Sequence, residues 1–74
     1  MKCIADAIET GLKARRMTQK ELAQKIGVTE STLSHYSYRM SNPNLLVFVK
    51  ICKELRLSPN KMFKLIEEEM SENG

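Results

Sequence analysis

Two short helical patterns meet at a single glycine, and that junction constrains the chain more than any other feature. Residues 18–38 read TQKELAQKIGVTESTLSHYSY, and each pattern begins with a threonine. Thr18 stands three residues before Glu21, the capping-box spacing, in which the hydroxyl takes a free amide of the first turn and the carboxylate reaches back. Leu22, Ala23 and Ile26 then mark one buried face. Gly27 ends the pattern, because glycine adopts the left-handed conformation of a helix terminus without steric cost. Thr29 caps a second helix of about Glu30 to Tyr38, whose apolar positions are Leu33 and Tyr36. Helices of about two turns do not hold alone, since nucleation outweighs what they bury. The rest of the chain must fix their angle, and the second one presents only small polar side chains outward.

The surrounding sequence supplies three more helices. Ile4, Ile8 and Leu12 recur at steps of four in a first helix of about Lys2 to Arg15, with Lys13 and Arg15 at the end where the helix dipole favours cations. Gly11 inside that pattern costs roughly 1 kcal/mol against alanine, which predicts a close helix approach there. Pro43 turns Asn42 away from helix and Asn44 caps a fourth helix, about Leu45 to Leu55. Its expected buried side is Leu45, Phe48, Val49, Cys52 and Leu55, with Ile51 beside them; Leu46 falls near the polar face. Ser58 and Pro59 open a fifth, with Met62, Phe63, Ile66 and Met70 as its stripe and Leu65 widening it. No β pattern, repeat or low-complexity segment interrupts this series. The fold class expected is all-α: five helices in one domain over residues 1–70, with residues 71–74 a flexible end.

Seventy-four residues lie near the lower limit for folding without staples, and two cysteines, Cys3 and Cys52, are too few for a disulfide scaffold. With His35 the only histidine, no zinc spacing exists and no catalytic set can be assembled. No glycine-rich phosphate loop, signal-peptide pattern or apolar run of about 18 residues is present. A cytoplasmic, soluble non-enzyme with no cofactor, no metal, no small-molecule ligand and no membrane contact is expected. Charge is unevenly placed. Residues 1–64 carry all twelve Lys and Arg against five acids, whereas residues 65–74 carry Glu67, Glu68, Glu69 and Glu72 and no base. A basic body with an acidic end suits a polyanionic partner. Glu30, Ser31, Ser34 and His35 share the side of the second short helix opposite Leu33 and Tyr36. A carboxylate can accept from the cytosine amine, serine pairs with several bases, and imidazole can donate to guanine.

TQKELAQKIGVTESTLSHY, the Asn42-Pro43 loop and LLVFVKICKELRLSPNKMF together resemble the Cro/Xre type of phage and bacterial repressor, the lambda-repressor-like five-helix domain. The likeness spans roughly Ile4 to Ile66. It implies that the third helix lies in the major groove of double-stranded DNA, with Glu30, Ser31, Ser34 and His35 toward base edges. Gln19, Lys20, Thr29, Thr32, Arg39 and Asn42 match backbone or outer contacts. One domain of this size reads few base pairs, so the resemblance implies a homodimer on an inverted repeat, with reading helices about 34 Å apart. Met62, Leu65, Ile66 and Met70 are the expected dimer surface. Repression by promoter occlusion is the leading role; an antitoxin binding its own promoter and a toxin, or a protein-interaction module on the same fold, are the alternatives.

Two departures from the family pattern carry expectations of their own. Arg16, Arg39 and Arg56 stand at turn positions where relatives usually have glycine. Either the backbone there stays left-handed, at a cost of order 1–2 kcal/mol each, or the turns change shape. Relatives also often bury an arginine–glutamate pair between the first and third helices, and the matching positions here are Leu12 and Ser37. Loss of both partners can be nearly neutral, where loss of one strands a buried charge.

Overall fold

A computed structural model describes residues 1–73, and among them there is no strand. Five helices follow one another: α1 (Lys2–Arg15), α2 (Gln19–Ile26), α3 (Glu30–Ser37), α4 (Leu45–Leu55) and α5 (Pro59–Asn73). The expected series is therefore present, with α3 ending one residue early and Tyr38 as its cap. The expected flexible end at residues 71–74 is helical as far as Asn73; its last residue lies outside the described part.

The starts of the helices follow the threonines and asparagine. Thr18 accepts the Glu21 N–H at 3.1 Å, Thr29 that of Thr32 at 3.1 Å and Asn44 that of Val47 at 2.9 Å. The box at Thr18 is closed differently from the expectation. Its hydroxyl donates to the Glu21 carboxylate at 3.2 Å, so the carboxylate meets the side chain of Thr18. Helix α1 has no side-chain cap of its own; Glu69 of α5 takes the N–H groups of Lys2 and Cys3.

The ends of four helices share one closure. Met17, Val28, Met40 and Leu57 each donate a backbone N–H to a carbonyl five residues earlier, at 2.8–3.0 Å. The residue before each of them is left-handed: Arg16 (φ 52°), Gly27 (φ 77°), Arg39 (φ 62°) and Arg56 (φ 55°). This is the Schellman arrangement. The three arginines keep the glycine-type backbone and carry its strain.

One core joins all five helices. Ile4, Ile8 and Leu12 of α1 meet Leu22, Ala23 and Ile26 of α2, Leu33 and Tyr36 of α3, Phe48, Ile51, Cys52 and Leu55 of α4, and Met62 of α5. Helix α1 packs on α3, α4 and α5, while α2 packs on α3 and α4. At Gly11 α1 and α4 approach closely: a Cβ added there would lie 2.9 Å from Leu55 Cδ1 and 3.1 Å from its Cβ. Leu12 is buried and Ser37 half-buried, so no charge stands at the positions where relatives pair them.

Two expectations about burial fail. Leu45 is 68% exposed and Val49 43% exposed, so α4 buries only the narrower stripe of Phe48, Ile51, Cys52 and Leu55. On α5 the core takes Met62 and half-buries Ile66, while Phe63, Leu65 and Met70 stay outside. No described helix is long and apolar enough to cross a membrane.

Candidate nucleic-acid interface

Helix α3 divides into two sides. Leu33 and Tyr36 enter the core against α1 and α2, which fixes the helix about its own axis. Glu30, Ser31 and His35 are exposed on the other side. They leave a polar, uncluttered edge with one carboxylate, one hydroxyl and one imidazole, all able to exchange hydrogen bonds with base edges.

Ser34 is arranged differently from its three companions. It is half-buried, and its hydroxyl donates to Gln19 Oε1 at 2.9 Å. Gln19 Nε2 in turn donates to Ser37 Oγ at 3.2 Å. The first residue of α2 is thereby tied to two successive turns of α3. Thr29 and Thr32 are also engaged locally: the Thr29 hydroxyl donates to Thr32 Oγ1 at 2.8 Å while accepting the Thr32 N–H. Lys20, Arg39 and Asn42 are exposed, on α2 and in the turn and loop after α3. Asn42 Oδ1 accepts from the amino group of Met1.

Arg39 is the exposed left-handed residue of the turn after α3, where the Met40 N–H returns to His35 O at 2.8 Å and ends the helix sharply. Tyr38 and Met40 flank it, both strongly exposed. They lie outside the expected set of contacts, as does Ser37, the partner of Gln19. A hydroxyl three residues after Ser34 was the available signal for Ser37; nothing local distinguished Tyr38 from a core aromatic.

The expected dimer surface separates by burial. Met62 is 4% exposed and belongs to the core, because α5 begins directly against α1 and α4. Leu65 and Met70 are 45% and 61% exposed, and Ile66 packs partly against the core. Phe63, also exposed, sets its ring centroid 5.6 Å from that of buried Phe48, tilted against it, and so links the surface of α5 to the core side of α4. Among the described residues no group of three His, Cys, Asp or Glu side chains is gathered as metal ligands would be.

Residues 8–62, from α1 to the start of α5, match the family model described as helix-turn-helix. The chain is 36% identical over 55 residues to the antitoxin HipB of Escherichia coli O6:H1 (strain CFT073), covering 74% of this chain and 58% of that protein. Antitoxin HipB of Escherichia coli K12 matches at the same identity over 62% of its length. The chain thus spans about three fifths of the length of these curated relatives. Among solved structures, a point mutant of the restriction-modification controller protein C.Esp1396I superposes with a TM-score of 0.74, over 99% of this chain and 95% of that one. Identity between the two is 20%, so that likeness speaks for the five-helix fold.

Proposed function

Because the chain belongs to the Cro/Xre-type helix-turn-helix family of DNA-binding regulators, we propose that it is a small repressor that reads an inverted-repeat operator in the major groove with α3. The observation that carries this reading is the exposed polar side of α3. Glu30, Ser31 and His35 face solvent while Leu33 and Tyr36 lock the helix against α1 and α2. Glu30 repels phosphates and adds more to discrimination than to affinity, whereas Ser31 and His35 add hydrogen bonds to bases. Ser34 sits nearer α2 and reaches a base only at the edge of this set. Gln19, Lys20, Thr29, Thr32, Arg39 and Asn42 form the flanking contacts to the backbone, which position the helix and carry no sequence information. A homodimer supplies the second reading helix, through Leu65, Ile66 and Met70 with Phe63 beside them.

Selection of bound sequences from random duplex DNA tests the reading. A short inverted repeat is the expected product, and Ser31→Ala or His35→Ala relaxes preference at single positions by about 1–3 kcal/mol. Failure to enrich any sequence would reject it.

A second reading rests on a specific observation, the 36% identity to the HipB antitoxins. As an antitoxin the chain would bind both its own promoter and a toxin, and exposed Leu45 and Leu46 on α4 offer apolar surface for the second partner. Co-expression with the product of a neighbouring gene and recovery of a stable complex would favour this role over a free repressor. Recovery of that complex with no DNA enrichment would point instead to a protein-interaction module.

A further inference from the structure

Gln19 opens α2 with a side chain of three rotatable bonds, yet both ends of its amide are held. The carbonyl oxygen accepts from Ser34 at 2.9 Å and the nitrogen donates to Ser37 at 3.2 Å. Ser34 and Ser37 are three residues apart on one helix and so lie on the same side of it. Each hydroxyl can donate or accept, so the two bonds together hold the plane of the amide, with the oxygen taking the Ser34 proton and the nitrogen serving Ser37. What stays unused is one N–H of Gln19 and the hydroxyl proton of Ser37, both donors. Gln19 and Ser37 are only half-buried and line one hollow of about 480 Å³ with Leu12 and Arg16, where the small side chain of Ser37 leaves room. Hydrogen bonds this exposed add little net stability. Their effect is on the freedom of the side chain.

The geometry points to Ser37, together with Ser34, as a positioning residue that presents the remaining donors of Gln19 to a DNA phosphate oxygen. This deepens the DNA reading above and rests on it. An amide already fixed by α3 surrenders little rotamer freedom when the duplex arrives, so the contact gains affinity by preorganisation. A phosphate contact contributes alike on every sequence. The arrangement also couples helix α2, which meets the backbone, to the last turn of the reading helix.

A double-mutant cycle on selected and on unrelated duplex DNA tests the assignment. Ser37→Ala is expected to weaken binding about three- to tenfold on both, with base preference unchanged. In a Gln19→Ala background the same substitution is expected to have no further effect, and Ser37→Thr, which keeps the hydroxyl, to restore binding. Losses that simply multiply in the double variant, or a changed base preference, would overturn the assignment. The clamp itself is read without DNA from the side-chain amide protons of Gln19 by NMR. Amide proton shifts displaced from random-coil values, which return toward those values in Ser37→Ala, are the expected result. Random-coil shifts for the Gln19 amide in the unaltered chain would refute the clamp while leaving the DNA reading intact, and no DNA binding by the unaltered chain would overturn both.

Discussion

The carboxylate of Glu69 takes the backbone N–H of Cys3 at 2.8 Å, joining the end of the last helix to the start of the first. The Lys2 N–H reaches the other oxygen at 3.1 Å. Helix α1 thus borrows its cap from 66 residues away, and the acidic end of the chain has a structural task. The Cys3 N–H holds the Glu69 carboxyl below the usual carboxylate range, with the Cys3 thiol and Lys2 N–H adding to it and burial opposing in part. A depressed folded-state value means that the stabilisation is whole above the unfolded value and is lost as pH falls through the folded one. Glu69→Gln is therefore expected to melt at a lower temperature than the unaltered chain at neutral pH. The gap closes under acid conditions, below the normal glutamate range. Thermal unfolding followed by circular dichroism at several pH values checks this.

The same contact bears on Cys3. Burial first, then the hydrogen bond and charge of Glu69, push its thiol up from the ordinary value. Little thiolate is present at neutral pH, so alkylation is slow. Replacing Glu69 by glutamine removes the charge, lowers the thiol value and is expected to speed iodoacetamide labelling of Cys3. Buried Cys52, pushed up by burial alone, stays slow in both proteins. Mass spectrometry over a time course distinguishes the two sites.

Gly11 sets the distance between α1 and α4. Alanine would gain roughly 1 kcal/mol of helix propensity, but its Cβ would fall 3.1 Å from Leu55 Cβ and 2.9 Å from Cδ1. Leu55 is fully buried, and its Cβ cannot move without the backbone of α4. Overpacking of this kind costs about 1–3 kcal/mol, so Gly11→Ala is expected to be destabilising by about 1 kcal/mol in denaturant titrations.

What the sequence disclosed and what it hid divide along distance in the chain. Thr18, Gly27, Thr29 and Asn44 each act on residues within five positions, and each boundary they mark is present. The Glu69 cap was illegible because it joins distant positions, and α1 simply lacks a local capping side chain. Leu45 and Val49 mislead for another reason. Their spacing with Phe48 and Cys52 makes one broad apolar stripe, and only the packing of α1 and α2 on α4 decides which flank of it is covered. The exposed polar side of α3 was legible in Glu30, Ser31 and His35, since Leu33 and Tyr36 fix it by helical period. Ser34 obeys the same period, yet its hydroxyl turns to Gln19, a partner on another helix.

The left-handed arginines give a way to separate stability from binding. Relief of backbone strain at Arg16 or Arg39 by glycine is expected to stabilise by up to about 1 kcal/mol, the residual of left-handed strain over the greater freedom of unfolded glycine. Arg16→Gly should do only this. Arg39→Gly should gain the same stability and yet bind all sequences more weakly, with the slope of log affinity against log salt smaller by about one. Fluorescence anisotropy at several salt concentrations, beside thermal melts, reads both. Equal salt slopes for Arg39→Gly and the unaltered chain would remove Arg39 from the DNA contacts.

Helix α5 offers the sharpest contrast between core and surface, because Met62 and Met70 lie two turns apart on one stripe. Met62 is 4% exposed and Met70 61% exposed. Met62→Ala leaves a cavity among α1, α4 and α5 and is expected to cost about 2–4 kcal/mol of stability. Met70→Glu buries nothing in the monomer and should leave its melting unchanged. In a homodimer built on Leu65, Ile66 and Met70, however, two glutamates would be buried without partners, since an isologous interface repeats every residue. Dissociation follows, and with it the loss of the second reading helix on an inverted repeat. Sedimentation velocity with and without operator-length duplex is the measurement. The expected result is a dimer for the unaltered chain on DNA and a monomer for Met70→Glu with weaker, half-site binding. A variant that still sediments as a dimer would move the interface elsewhere, and a strict monomer in the unaltered chain would remove the two-site geometry altogether.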